Sequence, residues 1–212
     1  MPLPDDVRLE RAAAAARPIG TVAESQHEIL KAIAELHCGG AFDLDPTYST
    51  GGFYRHGVPE PRLKYDLVPK LPDVQQADCR ALPLPSASVA SVVFDPPFIH
   101  AMGEASVIGN RFADQRSQHA LRALYLAALV EFYRVLKPRG ILVFKCQDIV
   151  ESGRQVMNHC HIWQMANGLG FVDLDMFILN APSRIIGHNH HVQQHARKFH
   201  SYFLVFEKGP KR

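Results

Sequence analysis

Apolar side chains recur at the spacing of an α-helix in three segments of the chain. The predicted helices cover residues 26–36, 121–136 and 155–168. Two glycines follow the first helix, and two cations with two helix breakers, Lys137-Pro138-Arg139-Gly140, end the second. Trp163 lies on the apolar pattern of the third helix, so we expect it to face the core.

Unbroken apolar runs predict the strands. Val89 to Phe94 is apolar and rich in β-branched residues, which is typical of a strand buried on both faces of a parallel sheet. The other predicted strands are residues 41–44, 63–68, 141–144, 171–179 and 201–206. Because strands alternate with helices, we predict an α/β fold: a mostly parallel sheet with helices on both faces. The last two strands have no helix between them, which predicts an antiparallel edge strand.

Polar residues follow nearly every predicted strand. In an open parallel sheet, ligands bind outside the carboxyl ends of the strands, so these positions are candidates for a cofactor site. They are Asp43, Asp45, Tyr48, Ser49, Gly51 and Gly52 at the end of the first strand, Asp66 near the end of the second, Asp78 and Cys79 before a turn, and Lys145, Gln147 and Asp148 after residues 141–144. The two glycines permit close backbone approach to a ligand. An ordinary surface loop and solvated turn acids are the competing interpretations.

The segment Asp95-Pro96-Pro97-Phe98 directly follows the buried strand 89–94. The amino group of adenine or cytosine is a poor nucleophile because its lone pair is delocalised into the ring. The Asp95 carboxylate and the Pro96 carbonyl would free that lone pair by accepting both amino hydrogens, and the prolines would fix the backbone. Phe98 offers a flat face for a base. The competing interpretation is a strand that ends in a proline turn, with Phe98 in the core.

The sequence resembles the amino-methyltransferases that act on adenine N6 or cytosine N4, whose signature is Asp-Pro-Pro-Tyr/Phe, and more narrowly small phage-related and bacterial DNA methylases. The resemblance rests on Thr47-Tyr48-Ser49, Gly52-Phe53-Tyr54, Phe94 to Phe98, Phe132 to Lys137, Phe144 to Asp148 and Gln194 to Tyr202. It covers the chain from about residue 25 to its end. The chain departs from the family in lacking the Phe-x-Gly-x-Gly turn and in leaving no room for a separate target-recognition domain.

This resemblance implies a Rossmann-like class I methyltransferase with a seven-stranded sheet, S-adenosyl-L-methionine as cofactor and Asp95 to Phe98 as the catalytic site. It implies cofactor contacts from residues 43–52, Asp66 and Asp78, with the Cys79 backbone alongside. The expected substrate is a nucleic acid, DNA before RNA and adenine before cytosine. An RNA base methyltransferase and a catalytically silent binding module are the alternatives.

Basic and amide side chains near these segments are candidates for nucleic-acid contacts. They are Asn110, Arg111, Arg116, Arg184, Arg197 and Lys198. Solvated loops are the competing interpretation. Lys145 and Asp148 are expected either to bound the floor of the pocket or to pair with each other. The five histidines between His188 and His200 match no zinc-finger spacing, so no metal site is predicted.

Composition changes this picture little. The 212 residues are 47% hydrophobic, which suits one domain with a real core, predicted over residues 21–212 behind a flexible arm at 1–20. A net charge of +2 alone does not establish a nucleic-acid partner. Four cysteines without CxxC pairing indicate reduced thiols and a cytoplasmic protein, and no apolar run is long enough to span a membrane. A homodimer or an accessory specificity subunit remains an open alternative to a monomer.

Overall fold

The computed structural model describes residues 18–98, 118–181 and 195–210. The strands in these ranges are β1 (Val22–Ala23), β2 (Leu44–Asp45), β3 (Leu63–Asp66), β4 (Gln75–Gln76), β5 (Val89–Phe94), β6 (Leu136–Cys146), β7 (Ile149–Glu151), β8 (Arg154–Val156), β9 (Phe171–Asn180) and β10 (His200–Lys208). The helices are α1 (Gln26–His37), α2 (Gln118–Val135) and α3 (Asn158–Leu169), with a 3₁₀ turn at Gly52–Tyr54. The described ranges contain no helix that is both long and apolar enough to cross a membrane.

Eight strands of the described ranges form one sheet in the order β1-β9-β10-β6-β5-β2-β3-β4. Within this sheet only β10 runs antiparallel, to both β6 and β9, and the other pairs are parallel. The predicted α/β fold is therefore confirmed. Two details differ, because the short β1 adds an eighth strand and β10 lies inside the sheet rather than at its edge.

The interior place of β10 follows from its side chains. Phe203 and Val205 pack on one face of the sheet and Leu204 and Phe206 on the other, and all four are almost fully buried. A strand that is apolar on both faces needs cover on both, which an exposed edge does not provide. Placing β10 between β6 and β9 gives it a hydrogen-bonded neighbour on each side.

The central strands separate two hydrophobic clusters by strict alternation. Val93 and Val143 face the cluster that includes α1, whereas Phe94 and Phe144 face the cluster of α2 and α3. The ring of Phe94 meets those of Phe132 and Phe144 edge-on, with centroids 4.9 and 5.0 Å apart. This packing fixes the carboxyl end of β5, and so the starting point of the segment that follows it.

Some element boundaries and one predicted core residue differ from the sequence-based predictions. The first strand is only Leu44–Asp45, because the Asp43 side chain accepts a hydrogen bond from the Ala90 N–H, 2.8 Å away. Helix α3 ends at Leu169 and is capped by Gly170, whose φ of 101° lies in the left-handed region that favours glycine. Trp163 is 47% exposed on α3, so its predicted place in the core is wrong.

Candidate active site

Asp95 is the first residue after β5, at the carboxyl edge of the sheet. Its backbone N–H donates to Thr47 Oγ1, 3.0 Å away, which joins the ends of β5 and β2. Its side chain is 32% exposed, so a molecule at this edge can reach the carboxylate. Burial raises the pKa of the Asp95 carboxyl, and the positive charge of Lys145 opposes that rise.

The proline turn after Asp95 is fixed from helix α2. The Tyr125 hydroxyl donates to the Pro97 carbonyl oxygen at 2.5 Å. Burial raises the pKa of Tyr125 well above its ordinary value, so this hydroxyl remains a donor. No hydrogen bond to the Pro96 carbonyl is observed from the described residues. The turn is therefore held through the Pro97 carbonyl.

Lys145 on β6 lies directly beside Asp95. Its Nζ is 3.4 Å from Asp95 Oδ1 and 3.5 Å from Oδ2, and it donates to Gln26 Oε1 at 3.2 Å. Of the two expectations for Lys145, pairing with Asp148 is wrong. Side chains three positions apart on an extended segment point to opposite faces, and Asp148 instead contacts His159 Nδ1 at 2.7 Å on the α3 side.

Asp45 is a second carboxylate at this edge, and it is almost completely buried. Its Oδ1 accepts from the backbone N–H and the hydroxyl of Thr47, at 2.7 and 3.1 Å. Its Oδ2 accepts from the Tyr54 hydroxyl at 2.8 Å. Burial raises the pKa of Asp45 to about 7, and the charge of Asp95 adds to the rise, against the hydrogen bonds that lower it.

The loop after β2 is packed into the protein, unlike a typical surface loop. The Tyr48 ring stacks on Tyr54, with centroids 5.3 Å apart, and its hydroxyl donates to Glu60 Oε2 at 2.5 Å. Gly51 has a φ of +69°, and a Cβ added there would lie 2.6 Å from the Tyr48 hydroxyl. Gly51 therefore leaves room for Tyr48, a packing role that the sequence did not indicate.

Asp66, at the end of β3, stabilises the same loop through hydrogen bonds. Its two carboxylate oxygens accept from the backbone N–H groups of Ser49 and Val68, each at 2.9 Å. The residue is buried, so the competing interpretation of a solvated turn acid is wrong. Ser49 adopts a φ of 57°, which few residues other than glycine tolerate, and the bond to Asp66 holds it there.

The remaining predicted cofactor residues are divided between the two ends of the strands. Asp78 follows β4 at the carboxyl edge and forms an ion pair with Arg80 at 2.6 Å. The neighbouring Cys79 packs against the core, and burial raises its pKa to about 12. Asp43 binds Arg62 Nε at 2.7 Å next to the amino ends of β3 and β5. The structure therefore does not bring Asp43 to the edge where Asp95 lies.

Two of the predicted nucleic-acid residues, Arg197 and Lys198, precede β10. Because β10 is antiparallel, its amino end lies at the carboxyl edge of the parallel strands, where Tyr202 pairs with Cys146. The Gln147 side chain secures this approach by donating to the carbonyls of Lys198 and His200, at 3.1 and 2.8 Å. The other four candidates, Asn110, Arg111, Arg116 and Arg184, lie outside the described residues.

Four residues that contact Lys145 or the proline turn were not predicted as part of this site: Gln26, Phe53, Tyr125 and Phe203. Gln26 and Lys145 are separated by 119 positions, and no local pattern links them. Each of the four has the ordinary appearance of a helix-start or core residue. Helical or strand periodicity identifies such residues as buried but does not say which polar group they face.

No protein-family model and no curated protein sequence matches the chain. Solved structures do match. The cyclase SpnF is 14% identical with a TM-score of 0.54, covering 96% of this chain and 93% of its own. A candidate sarcosine dimethylglycine methyltransferase from Galdieria sulphuraria is 13% identical with a TM-score of 0.53, covering 97% and 99%. A candidate DNA modification methylase from Thermus thermophilus is 24% identical with a TM-score of 0.44, covering 64% of this chain and 53% of its own.

The chain therefore has the Rossmann-like fold of the class I methyltransferases. It spans about half the length of the Thermus methylases that it matches. Proteins with this fold carry names as different as a [4+2]-cyclase and a sarcosine dimethylglycine methyltransferase. The fold alone therefore does not define the reaction, which depends on the residues of the site.

Proposed function

We propose that this protein is an S-adenosyl-L-methionine-dependent methyltransferase that acts on the exocyclic amino group of a nucleic-acid base. DNA adenine N6 is the favoured target, followed by cytosine N4. The observation that carries the proposal is the Asp95 carboxylate, which is accessible, flanked by a lysine ammonium and followed by a proline turn that Tyr125 holds at 2.5 Å. An oriented acceptor of this kind at the carboxyl edge of a parallel sheet is what activation of an amino group requires.

Asp95 and the Pro96 carbonyl would each accept one hydrogen of the target amino group. Holding both hydrogens favours a nitrogen whose lone pair points away from the ring and towards the electrophile. Phe98 would stack on the base, and for a duplex the base must first leave the helix. The role of the chain is thus to orient the amino group and to release its lone pair.

The acceptor chemistry of the edge fits a nucleoside cofactor. Asp66 ends β3 and Asp78 follows β4, and these two strands are neighbours in the sheet. Asp78 is held by Arg80 through both carboxylate oxygens, so a ligand there would have to compete with that ion pair. Asp66 would serve ribose hydroxyls, Asp78 and the Cys79 backbone the adenine, and residues Asp45 to Gly52 the methionine part. When bound, S-adenosyl-L-methionine supplies the electrophilic methyl group.

Arg197 and Lys198 support a polyanionic substrate. They lie at the same edge of the sheet as Asp95, where a phosphate backbone would pass beside an extruded base. The mild net charge of +2 is compatible with contacts concentrated at one edge.

The test is labelled-methyl incorporation into DNA, RNA and protein, followed by mass spectrometry of the nucleosides. Asp95→Ala is expected to reduce transfer by at least about 100-fold, because the amino group loses an acceptor that it needs in the transition state. Cofactor binding in a calorimetric titration should survive. Asp173→Ala, which removes an exposed carboxylate from β9, is the matched control.

Each alternative has its own outcome in this experiment. Methylated nucleosides from RNA alone would redirect the proposal to an RNA base. Cofactor binding without transfer to any polymer would favour a silent binding module. Full turnover by Asp95→Ala would remove Asp95 from its role.

A further inference from the structure

Lys145 stands next to Asp95 by strand register. Phe144 on β6 pairs with Phe94, the last residue of β5. The residues that follow them, Lys145 and Asp95, therefore also lie side by side. The Nζ lies at nearly equal distances, 3.4 and 3.5 Å, from the two carboxylate oxygens. The ammonium therefore faces the carboxylate as a whole and leaves room for another donor on either oxygen.

Three aromatic rings surround the Lys145 ammonium. Its Nζ is 4.8 Å from the centroid of Phe53 and 5.6 Å from those of Phe98 and Phe203. Gln26 Oε1 accepts from it at 3.2 Å, and only 11% of the side chain is exposed. An ammonium held against ring faces and shielded from water is restricted in position, and its field on a neighbouring carboxylate is strong.

We infer that Lys145 is the positioning residue of this site: it keeps Asp95 ionised and aimed at the target amino group. The inference rests on the proposed methyl transfer and deepens it. An ionised carboxylate only accepts hydrogen bonds, whereas a protonated one would present a hydroxyl donor to the amino hydrogens. Lys145 also contacts Phe98. One side chain therefore positions both the ring expected to stack on the base and the carboxylate expected to bind its amino hydrogens.

Three described groups bear on the protonation of Asp95. Lys145 on β6 favours the carboxylate, the buried Asp45 on β2 disfavours it when ionised, and Tyr125 on α2 stays neutral. Burial raises the pKa of Asp95, and Lys145 opposes that rise. Without the ammonium the pKa of Asp95 will rise further, so Asp95 will be protonated, and activity lost, at a higher pH.

The experiment compares wild type with Lys145→Met, which fits among the three rings without charge, and Lys145→Arg, which keeps the charge. The first readout is the titration of the Asp95 carboxyl carbon by carbon-13 NMR, assigned through Asp95→Asn. The second is the acidic limb of the pH profile of methyl transfer. Lys145→Met should move the Asp95 titration and the acidic limb to higher pH. In Lys145→Arg, both should lie close to their wild-type positions.

Lys208→Met is the matched control. Lys208 is also buried, lies 4.9 Å from the centroid of an aromatic ring, that of Tyr133, and donates to the Leu136 carbonyl at 2.6 Å. Its loss should lower stability and leave the Asp95 titration in place. If Lys145→Met does not fold, Lys145→Gln removes the same charge and keeps a polar group near Gln26.

An Asp95 titration that stays at the wild-type pH in the neutral variants overturns the inference, whether or not methyl transfer is found. A uniform loss of activity at all pH values, with no displaced limb, overturns it too. The Asp95 titration can also move to higher pH in the neutral variants while the wild type transfers no methyl group. That result supports the effect of Lys145 on Asp95 and counts only against the proposed function.

Discussion

At the residue scale, two acids share one threonine. The Thr47 hydroxyl donates to Asp45 and accepts from the Asp95 backbone N–H, so the protonation of the buried Asp45 is linked to the position of the half-buried Asp95. The sequence indicates both acids, because each follows a predicted strand. It does not indicate that Asp45 is buried among hydrogen bonds while Asp95 is open.

The burial of Asp45 predicts a pH dependence of stability. Its pKa is raised to about 7 in the folded protein, whereas an unfolded aspartate titrates near about 4. Between these values the folded state binds a proton that the unfolded chain has lost. The stabilisation is complete below about pH 4 and disappears as pH rises through about 7.

Asp45→Asn should remove this dependence, because its amide can still accept from Thr47 and can donate to the Tyr54 hydroxyl. From pH 5 to pH 8, the free energy of unfolding of wild type should fall relative to the variant by up to about 3 kcal/mol. Urea denaturation at the two pH values measures the difference. A difference between the proteins that does not change with pH would contradict the burial of an ionisable group there.

At the element scale, the loop between β2 and the 3₁₀ turn gives one of its glycines a packing role that was not predicted. The glycines at 51 and 52 are expected to permit close approach of a ligand. The structure assigns Gly51 a packing role as well, since the Tyr48 hydroxyl occupies the space that a side chain would need. The stacked pair Tyr48–Tyr54 then holds the Tyr54 hydroxyl against Asp45.

Gly51→Ala should destabilise the protein by about 1–3 kcal/mol, because the new Cβ meets Tyr48 and the backbone is left-handed. Cofactor binding should weaken with it as the loop shifts. Gly52→Ala is the adjacent control for stability alone, since a Cβ there meets nothing within 4 Å. Urea denaturation and calorimetric titration measure the two effects. Equal stabilities of the two variants in urea would show that the contact with Tyr48 does not shape the loop.

At the scale of the whole molecule, the antiparallel β10 decides where the basic segment lies. A parallel last strand would begin at the opposite edge of the sheet, and Arg197 and Lys198 would be far from Asp95. The Gln147 side chain, just past the end of the strand next to β10, ties that segment to the carboxyl edge. This placement makes the charge of the segment relevant to substrate binding.

Replacing Arg197 and Lys198 together by alanine should weaken nucleic-acid binding for all sequences alike. The slope of log affinity against log salt should decrease by up to about two, close to one for each phosphate contact. Filter binding between low and moderate salt measures the slope. The control replaces Lys137 and Arg139, two exposed cations near the amino end of β6. An unchanged slope in the first double variant would place the phosphate backbone elsewhere.

The sequence by itself determined the main helices and strands, and it indicated the acids Asp45, Asp66 and Asp95 at the ends of strands. Periodicity identifies segments such as Val89–Phe94 because burial of alternating faces leaves a local trace in the chain. A proline pair after a buried strand likewise marks its end.

Only the tertiary structure decided what those acids meet. It moved Asp43 to the opposite end of the strands, buried Asp45, enclosed Lys145 in three rings and inserted β10 between β6 and β9. The physical reason is that strand register and helix packing bring together groups more than a hundred positions apart, such as Gln26 and Lys145. Such contacts form only when the whole chain has folded, so no local sequence pattern predicts them.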